Sequence, residues 1–344
     1  MSDRPPHFPL VPHGWYYVAP VEKMRRPVEL RLGDREYVAF ATGRQVHVLD
    51  GRCSHFGAHL ARGNVVGDCL ECPLHGWRFR GDGTCEQTPS GEDPPAAAAV
   101  RSYPIAMLGG HLFFHTDSGH RAPAPFFADV APDDLISAPP FSFDVAMPWW
   151  MVSTNGFDTQ HFLTAHDRRL AGPPEVLRDD AVFEARAAFD VVGGEWRDRV
   201  TRLVSGPRTE MTVRNAGGAL ILVTSRFRRT VTYGLVSIHP RSRTQSHVRT
   251  IVWKRPRAGP ARAFDAVDVL LRASFIRAFI QPDIVAGEGI QFDPRRTIAA
   301  DAVVTRYLAW LAEHSVAAHA DEPLSGARRG AHLGDALPES AGDH

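Results

Sequence analysis

Cysteine and histidine are concentrated in one short segment of this 344-residue sequence, CSHFGAHLARGNVVGDCLECPLHGW (53–77). The segment holds three of the four cysteines and forms two short-spaced pairs, Cys53 with His55 and Cys72 with His75, which 16 residues separate. Each pair places a thiol and an imidazole within a few ångströms, so two loops carrying these pairs could close around one metal site. The pattern therefore indicates a metal centre with two sulfur and two nitrogen ligands.

Two kinds of metal centre accept this donor set. Zinc binds two thiolates and two imidazoles, although its short-spaced pairs usually join ligands of the same type. A mixed-ligand [2Fe–2S] centre binds two thiolates to one iron and two imidazoles to the other. Pro73, Gly57 and Gly76 suit tight loops around an inorganic core. The spacing favours the iron–sulfur centre, and zinc or a chance grouping of unrelated residues are the alternatives.

A second set of candidate ligands lies in NGFDTQHFLTAH (155–166). A non-haem Fe(II) site needs two imidazoles and one carboxylate on one face. Five residues advance a helix by about 140°, so His161 and His166 can share a metal only if the helix is distorted or ends there. Asn155, Asp158 and His161 recur every three residues and would lie along one helical stripe. A pair of unrelated surface histidines is the alternative.

The first third of the chain has the pattern of short antiparallel strands. From Trp15 to about Thr116 the sequence is rich in Val, Tyr, Phe and Leu, with turn signals at Gly33-Asp34 and Gly43-Arg44. The Pro-rich residues 118–140 are typical of a linker. These features predict a small β domain that would carry the cysteine–histidine loops.

The rest of the chain mixes helical and strand patterns. Residues 154–170 are helix-like, with Ser153 or Thr154 as the N-cap, and a long β-rich stretch follows. Apolar residues at helical spacing predict a long helix within 261–290 and a last short helix over 305–314. A second, α+β domain is expected to carry the second set of candidate ligands.

Composition and charge exclude several classes of protein. Lys plus Arg and Asp plus Glu number 39 each, so no overall field favours nucleic acid or an anionic membrane. No apolar run reaches the roughly 18 residues of a membrane span, and MSDRPPHFPL lacks the pattern of a signal peptide. Four cysteines do not form a disulfide framework in a chain of this length. A cytoplasmic protein is the expectation.

The segment CSHFGAHLARGNVVGDCLECPLHGWRF resembles the cluster motif of Rieske non-haem iron oxygenases, a C-x-H pair followed by C-P-x-H-G-W. Here the second loop reads Cys-Pro-Leu-His-Gly-Trp, and the match continues through YPIAMLGGHLFF to residue 114. The resemblance implies that Cys53 and Cys72 hold one iron and that His55 and His75 hold the other.

The N-x-x-D-x-x-H-x4-H pattern of residues 155–166 is similar to the mononuclear-iron motif of the same family. It implies that His161 and His166 bind Fe(II), with a third ligand from an aspartate on a late helix. Asp283 matches that position, and Asp268 and Glu288 are the alternatives on the same segment.

The resemblance assigns the acidic residue between the two motifs a role in electron transfer. It implies that Asp158 joins the ligand His161 to the cluster histidine His75 of a neighbouring subunit in a head-to-tail homotrimer. An aspartate in the first turn of a helix can instead complement the helix dipole. Asn155 and Asp158 are therefore the candidate catalytic residues beside the iron ligands.

The family resemblance also implies the fold class, which is α+β. An N-terminal all-β Rieske [2Fe–2S] domain (12–117) and a linker (118–140) precede an α+β helix-grip, START-like catalytic domain (141–317). A Gly- and Ala-rich tail (318–344) is predicted to be disordered. In the helix-grip fold a long helix packs over a sheet with the pocket between them, so ALILVTSRF and TVTYGLVSIHP are candidates to line it.

Some cluster-loop residues depart from a related family. Rieske proteins of respiratory complexes carry an additional cysteine in each loop and a serine after the glycine, where this chain has Ala58, Leu74 and Trp77. Without that disulfide and hydroxyl, the cluster potential is expected near the low end of the Rieske range. Cys69 and Cys85 are expected to be small buried apolar residues and not ligands.

The implied function is that of a terminal oxygenase component, with a [2Fe–2S] cluster that supplies electrons to a mononuclear Fe(II), and a monooxygenase in preference to a ring dioxygenase. No Gly-rich dinucleotide motif is present, so a separate NAD(P)H-dependent flavin reductase, with or without a ferredoxin, is the expected partner. Arg168 and Arg169 are expected to be solvated. No basic clamp is therefore expected, which favours an uncharged, ring-containing organic substrate.

The cluster segment most resembles the branch of ketosteroid hydroxylases, cholesterol desaturases and aminopyrrolnitrin N-oxygenases. Hydroxylation, N-oxygenation, desaturation and demethylation stay open as reactions. A Rieske-type electron carrier with an appended non-catalytic domain is the alternative function, and a colourless zinc-stabilised binding module is a third.

Overall fold

The computed structural model of the chain describes residues 8–179, 182–194, 196–216 and 218–315. The tail predicted to be disordered, 318–344, lies outside the described residues. Across the described ranges, no helix is both long enough and apolar enough to span a membrane.

The N-terminal part is built from short antiparallel strands. Three small sheets have the orders β1-β10-β9, β2-β3-β4 and β5-β6-β7-β8. The strands are β1 Trp15–Pro20, β2 Val28–Leu32, β3 Arg35–Thr42, β4 Gln45–Asp50, β5 Asn64–Val66, β6 Cys69–Glu71, β7 Arg78–Arg80, β8 Cys85–Gln87, β9 Ile105–Leu108 and β10 His111–His115. The turns predicted at Gly33-Asp34 and Gly43-Arg44 connect β2 to β3 and β3 to β4, as expected from the sequence.

A nine-stranded antiparallel sheet forms the C-terminal part, with the path β11-β19-β18-β17-β16-β15-β13, while β12 pairs with β19 and β14 pairs with β15. Its strands are β11 Ile136–Ser137, β12 Phe141–Val145, β13 Arg168–Leu170, β14 Glu175–Arg178, β15 Phe183–Val191, β16 Arg208–Asn215, β17 Leu220–Phe227, β18 Thr230–Pro240 and β19 Ser246–Lys254. Successive side chains of a strand face opposite sides of a sheet. One side of this sheet can therefore pack against helices while the other faces away.

Five helices accompany this sheet: α1 Trp149–Asn155, α2 His161–His166, α3 Trp196–Ser205, α4 Asp265–Ala286 and α5 Ala302–His314. The long helix α4 packs on the sheet through Val269 and Ala273, which share an apolar cluster with Val252 of β19. The predicted long helix and last short helix are both present. The α+β class, with an all-β N-terminal part and a helix packed over a large sheet, is confirmed.

The single helix predicted over 154–170 is wrong, because the structure breaks it into α1, α2 and strand β13. Helix α1 ends at Asn155, with Gly156 as its C-cap, and Asp167 caps the end of α2 in the left-handed conformation (φ 53°). The predicted N-cap residues lie inside α1, where the Ser153 and Thr154 hydroxyls donate to the carbonyl of Trp150. Pro148 is the residue at the N-cap position.

Residues of the expected linker take part in a shared core. Phe127 and Leu135 are buried in one apolar cluster with Trp15 and Phe113 of the N-terminal part and Trp253 of β19. Burial of aromatic side chains is a large stabilising contribution. The two parts of the chain are therefore joined through a packed interface and not only through a covalent connection.

Candidate metal centres and substrate cavity

The two cysteine–histidine pairs lie on two loops with the same backbone hydrogen bonds. In the loop after β4, the N–H of Cys53 donates to the carbonyl of Ala58 (2.9 Å), and the N–H of Gly57 donates to that of Cys53 (2.9 Å). In the loop after β6, Cys72 donates to Trp77 (2.8 Å) and the glycine at position 76 donates to Cys72 (3.0 Å). Both glycines have a positive φ, a conformation that favours glycine. The chain thus builds one tight turn twice.

The four candidate cluster ligands lie at the ends of these loops. Cys53 and Cys72 are buried, and burial together with the neighbouring Cys72 thiol raises the pKa of Cys53 to about 11. The His55 and His75 ring centroids are 4.8 Å apart, and His75 is exposed. Sulfur donors on the inner side and imidazoles on the outer side match the two ends of a mixed-ligand [2Fe–2S] cluster.

Aromatic and aliphatic side chains surround the histidine end of these loops. Trp77 stacks on His55 with ring centroids 4.3 Å apart and an interplanar angle of 5°. Phe56 and Leu74 are 71% and 56% exposed. The histidine end is therefore an apolar, solvent-facing tip. The Nδ1 atom of His55 is buried, and no described residue accepts or donates a hydrogen bond there.

Helix α2 carries the two histidines of the second candidate centre at its two ends. His161 is its first residue and His166 its last, with ring centroids 5.3 Å apart. The expectation that a helix end would be needed for this pair to share a metal is therefore met. Asp283 of α4 faces both: its Oδ1 is 3.0 Å from Nε2 of His166 and 3.8 Å from Nε2 of His161. All three ligand atoms lie within 4.8 Å of one another.

The donor set of this second centre suits non-haem Fe(II), which binds two histidines and one carboxylate and keeps open positions. Both ring nitrogens of His161, Nε2 of His166 and Oδ1 of Asp283 are buried, and within the described residues they have no aligned hydrogen-bond partner. Buried polar atoms are normally satisfied, so these orphan atoms fit a shared cation. Burial lowers the pKa of His161, which favours the neutral imidazole that binds metals.

Two neighbours orient the ligands of this centre. Asn155, the last residue of α1, donates from Nδ2 to Oδ2 of Asp283 at 3.0 Å, which leaves Oδ1 directed at the histidines. Phe279 stacks on His166 with ring centroids 3.8 Å apart. The candidate catalytic role of Asn155 is therefore better described as positioning, because its contact is with a ligand.

Asp158 lies in the connection between α1 and α2. Its Oδ1 accepts hydrogen bonds from the backbone N–H of Gln160 (2.9 Å) and of His161 (3.4 Å), and its Oδ2 is 3.7 Å from Nδ1 of His161. The carboxylate thus stabilises the start of α2 and stands on the side of His161 that faces away from Asp283. Its side chain is 35% exposed, so a second molecule could reach it.

A buried ion pair that the sequence analysis missed fixes the end of α2. Arg168 donates from Nη1 to the carbonyl of His166 (3.0 Å) and to Oδ1 of Asp198 (2.7 Å). Both side chains are 9% exposed. The expectation that Arg168 is solvated is therefore wrong, whereas Arg169 is exposed. Arg168 replaces the missing helical donors at the last carbonyl of α2, and this holds the backbone of a candidate ligand.

The two alternative carboxylates for the third ligand, Asp268 and Glu288, are not among the residues that the structure brings to the histidines. Asp268 forms ion pairs with Lys254 (2.9 Å), Arg257 (2.6 Å) and Arg272 (2.9 Å), so its charge is already compensated. Glu288 lies beyond the end of α4 and is exposed. Asp283 is the carboxylate that the structure brings to the histidines.

The remaining cysteines differ from each other. Cys69 is buried as expected and donates from Sγ to Glu86 at 2.7 Å, and burial followed by Glu86 raises its pKa to about 12. Cys85 is only half-buried, so the expectation of a buried residue does not hold there.

A cavity of about 180 Å³ adjoins the second centre. It lies between α4 and the sheet, and the two strand segments predicted to line a pocket, in β17 and β18, do so through alternate residues. Its lining is mostly aliphatic and aromatic, and among the described residues that line it the ionisable groups are His161, His166 and Asp283 alone. The cavity is therefore suited to an uncharged molecule.

The part of the chain that carries the cysteine–histidine loops is similar to a known domain family. Residues 14–104 match the family described as the Rieske [2Fe-2S] domain. The chain therefore carries a [2Fe–2S] domain of the Rieske class. It is also similar to a probable 3-ketosteroid-9-alpha-monooxygenase, oxygenase component, of Rhodococcus rhodochrous, at 34% identity over 191 residues, which are 52% of this chain and 46% of that protein.

A second relative is the aminopyrrolnitrin oxygenase PrnD of Pseudomonas fluorescens, 32% identical over 179 residues, which are 48% of this chain and 49% of that protein. The chain thus spans about half the length of these curated relatives. Among solved structures, dicamba monooxygenase bound to dicamba superposes with a TM-score of 0.69 at 19% identity, covering 89% of this chain and 98% of that one. The chain therefore contains a Rieske domain, is similar to oxygenase components over about half of its length, and shares the fold of dicamba monooxygenase.

Proposed function

We propose that the chain is the terminal oxygenase component of a Rieske non-haem iron system and that it mono-oxygenates a mostly apolar, ring-containing organic substrate. Cys53 and Cys72 would bind one iron of the cluster, and His55 and His75 the other. A mononuclear Fe(II) that activates O₂ with electrons from the cluster would be bound by His161, His166 and Asp283.

The observation that carries this proposal is the group of three ligands beside an apolar cavity. Asp283 brings a carboxylate to the imidazoles of His161 and His166, and Asn155 orients it. Buried walls around these ligands exclude water, which strengthens the electrostatic interactions inside the site. An electron carrier needs neither this second centre nor a cavity next to it, so the structure favours the oxygenase over a carrier with an appended domain.

Metal and sulfide analysis of the purified protein, with its visible and EPR spectra, tests the proposal. We expect about three irons per chain and about two acid-labile sulfides, with a Rieske-type reduced spectrum. About two irons with the same spectrum would support the carrier, and zinc without sulfide would support the binding module. Either result would contradict the oxygenase.

Activity is tested by supplying electrons from a surrogate flavin reductase with NADH. We expect O₂ uptake that depends on an uncharged ring compound and, with labelled O₂, one oxygen atom in a hydroxylated or N-oxygenated product. Desaturation would leave no label in the product, and demethylation would release an aldehyde. Uptake that yields only peroxide with every compound would contradict a productive oxygenase.

We further propose a homotrimer in which Asp158 links His161 of one subunit to His75 of the next. The partly exposed Asp158 carboxylate, 3.7 Å from Nδ1 of His161, and the exposed His75 support this arrangement. Both groups are accessible at the surface of their own subunit, so Asp158 of one subunit could meet His75 of the next.

The Asp158→Asn variant separates this role from folding. Asparagine retains an oxygen that can accept from the N–H groups of Gln160 and His161, so α2 should still begin at its normal place. We expect a normal cluster spectrum, normal iron content and a trimer in sedimentation, but slow transfer of electrons to the iron and loss of product. Normal turnover by this variant would exclude the electron-bridge role.

A separate NAD(P)H-dependent flavin reductase, with or without a ferredoxin, is proposed as the electron donor because the sequence holds no Gly-rich dinucleotide motif. In the trimer, the apolar tip of Phe56 and Leu74 beside His75 would face the next subunit. Relatives whose names specify 3-ketosteroid and aminopyrrolnitrin oxygenation leave the reaction open among hydroxylation, N-oxygenation, desaturation and demethylation. A cytoplasmic location stays a prediction from the sequence.

A further inference from the structure

Strand β18 forms the wall of the cavity opposite helix α4. Thr232, Gly234 and Val236 alternate along it and line the cavity, as the two-residue period of a strand requires. Gly234 lies inside the sheet, where it pairs with Val223 of β17 and Val252 of β19. A glycine in the interior of a strand lowers stability, because it loses more backbone entropy on folding and packs no side chain.

Neither backbone conformation nor crowding requires glycine at this position. Gly234 is not among the described glycines with positive φ. A Cβ atom added there would meet nothing closer than the Val223 carbonyl oxygen, at 3.8 Å, which is an ordinary van der Waals contact. Gly156, which also lines the cavity, is different, because its Cβ would lie 3.0 Å from Val213.

The absence of a side chain at Gly234 therefore leaves space for the cavity. A side chain there would project between the sheet and α4, into the space that the candidate iron ligands also line. Glycine in a strand often marks a place where a ligand approaches the backbone closely. A flat ring lying against β18 would use this space.

The same wall carries one unsatisfied polar group. Thr250 of β19 lines the cavity and is 1% exposed, and its hydroxyl has no hydrogen-bond partner in the described part of the chain. The hydroxyl of Thr232, which lies further along β18, is already an acceptor for Arg272, at 2.6 Å. Leaving a buried hydroxyl unpaired is costly, so a ligand group that pairs with Thr250 would gain free energy.

The volume of the cavity limits the ligand. Apolar cavities of roughly 150 Å³ bind benzene-sized ligands, and drug-sized ligands occupy roughly 300–1,000 Å³. A cavity of about 180 Å³ lies near the lower value. It suits one or two fused rings and is too small for a four-ring steroid nucleus.

Building on the proposed function, we propose that the substrate is an uncharged compound of one or two fused rings with one hydrogen-bonding group. Gly234 sets the size that the cavity accepts, and the Thr250 hydroxyl binds the polar group. Both residues are specificity determinants that contact the substrate and not the metal.

Calorimetric titration of the purified protein tests this with aniline, indole, indene and 4-androstene-3,17-dione as probes. We expect binding of the three smaller compounds and none of the steroid.

Gly234→Val should weaken the binding of indole at least about 10-fold while aniline binds almost normally, because the larger ring loses its space. Thr250→Val should weaken indole about 3- to 10-fold and leave indene unchanged, since indene lacks the N–H group. Thr250→Ser should restore indole binding.

Thr212→Val is the matched control, because Thr212 lies on β16 between the cavity-lining Met211 and Val213 and faces the other side of the sheet. It should bind all probes as the wild type does. Iron and sulfide content should be unchanged in each variant, and no variant, Gly234→Ala included, should melt below the wild type.

Three results would overturn the inference: steroid binding as tight as that of indole, unchanged indole affinity in Gly234→Val, or failure of every small probe to bind. A lower melting temperature for Gly234→Ala would show that the glycine is structural. Binding is measured without turnover, so it is independent of the proposed function. If the protein holds no mononuclear iron but still binds these probes by size, the oxygenase proposal is wrong and the assignment of the cavity remains supported.

Discussion

The two candidate metal centres are built in opposite ways. The cluster loops are close in sequence, repeat one turn around Cys53 and Cys72, and place His75 at an exposed tip. The second centre joins α2 to Asp283 of α4, which lies more than 100 residues later, and the side chain of His166 is only 2% exposed. A surface centre can exchange electrons with other proteins, whereas a buried centre beside a cavity can exclude water. This difference fits the proposed roles, which are electron transfer at the cluster and O₂ activation at the mononuclear iron.

The largest expected effect is the complete and separate loss of each centre. Cys72→Ser should remove the Rieske-type spectrum and the acid-labile sulfide, because it removes one of two thiolates. His166→Ala should leave that spectrum unchanged and lower the iron content from about three to about two per chain. Metal analysis and EPR on the same preparations measure both.

The control for this pair is Asp268→Asn, which changes a carboxylate of α4 that pairs with Lys254 and Arg272 and stands away from the histidines. It should keep the full iron content even if the protein is less stable. Loss of the cluster in His166→Ala would mean that the two centres do not form independently, and the comparison between them would fail.

The next effect concerns the buried ion pair that supports the second centre alone. Arg168→Met leaves the Asp198 carboxylate buried without its partner, which typically costs about 3–5 kcal/mol, and frees the carbonyl of His166. We expect a lower melting temperature and weaker binding of the mononuclear iron, with the Rieske-type spectrum retained. Thermal unfolding and iron titration measure the two effects.

A second variant distinguishes support of His166 from a general loss of stability. In Arg168→Met combined with Asp198→Leu, no buried charge is left unpaired, so stability should recover in part. Iron affinity should stay low, because the contact with the His166 carbonyl is still missing. Full recovery of iron affinity along with stability would show that Arg168 stabilises the fold but does not position His166.

The comparison also explains which parts of the site could be predicted from the sequence. The cluster loops were predictable because their ligands, spacing and glycines are all local. The α2 histidines were found by their spacing, and the need for a helix end was deduced from the 140° angle between them, at about 100° per residue. The position of that end was not deduced, because Asn155, Asp158 and His161 also fit one continuous helix.

Contacts between residues that are far apart in the sequence were harder to predict. Asp283 was chosen by its position relative to a family pattern, and the sequence alone could not exclude Asp268. Arg168 was expected in solvent because arginine is rarely buried unless it is paired. Its partner Asp198 lies 30 residues away on a helix that was not predicted. Such a partner becomes visible only when the fold brings the two together.

A smaller effect is expected from the residue that orients a ligand without binding metal. Asn155→Leu removes the donor to Oδ2 of Asp283 but keeps a side chain of similar size. Partners of this kind typically contribute about 10- to 100-fold to metal affinity. We expect a loss of mononuclear iron affinity in that range and no change in the cluster. Ser153→Ala, which also lies on α1 beside the cavity, is the control and should bind iron normally.

The smallest effect is expected at Cys69, which lies in sequence between the two cluster loops. Its Sγ donates to Glu86, and burial raises its pKa to about 12, so it is a protonated thiol at neutral pH. The tight turn that presents Cys53 and Cys72 is absent at Cys69, which lies within strand β6. Cys69→Ala should therefore keep the full sulfide content and an unchanged EPR spectrum. A shifted spectrum would show that a third sulfur influences the cluster, and the two-loop description would then be incomplete.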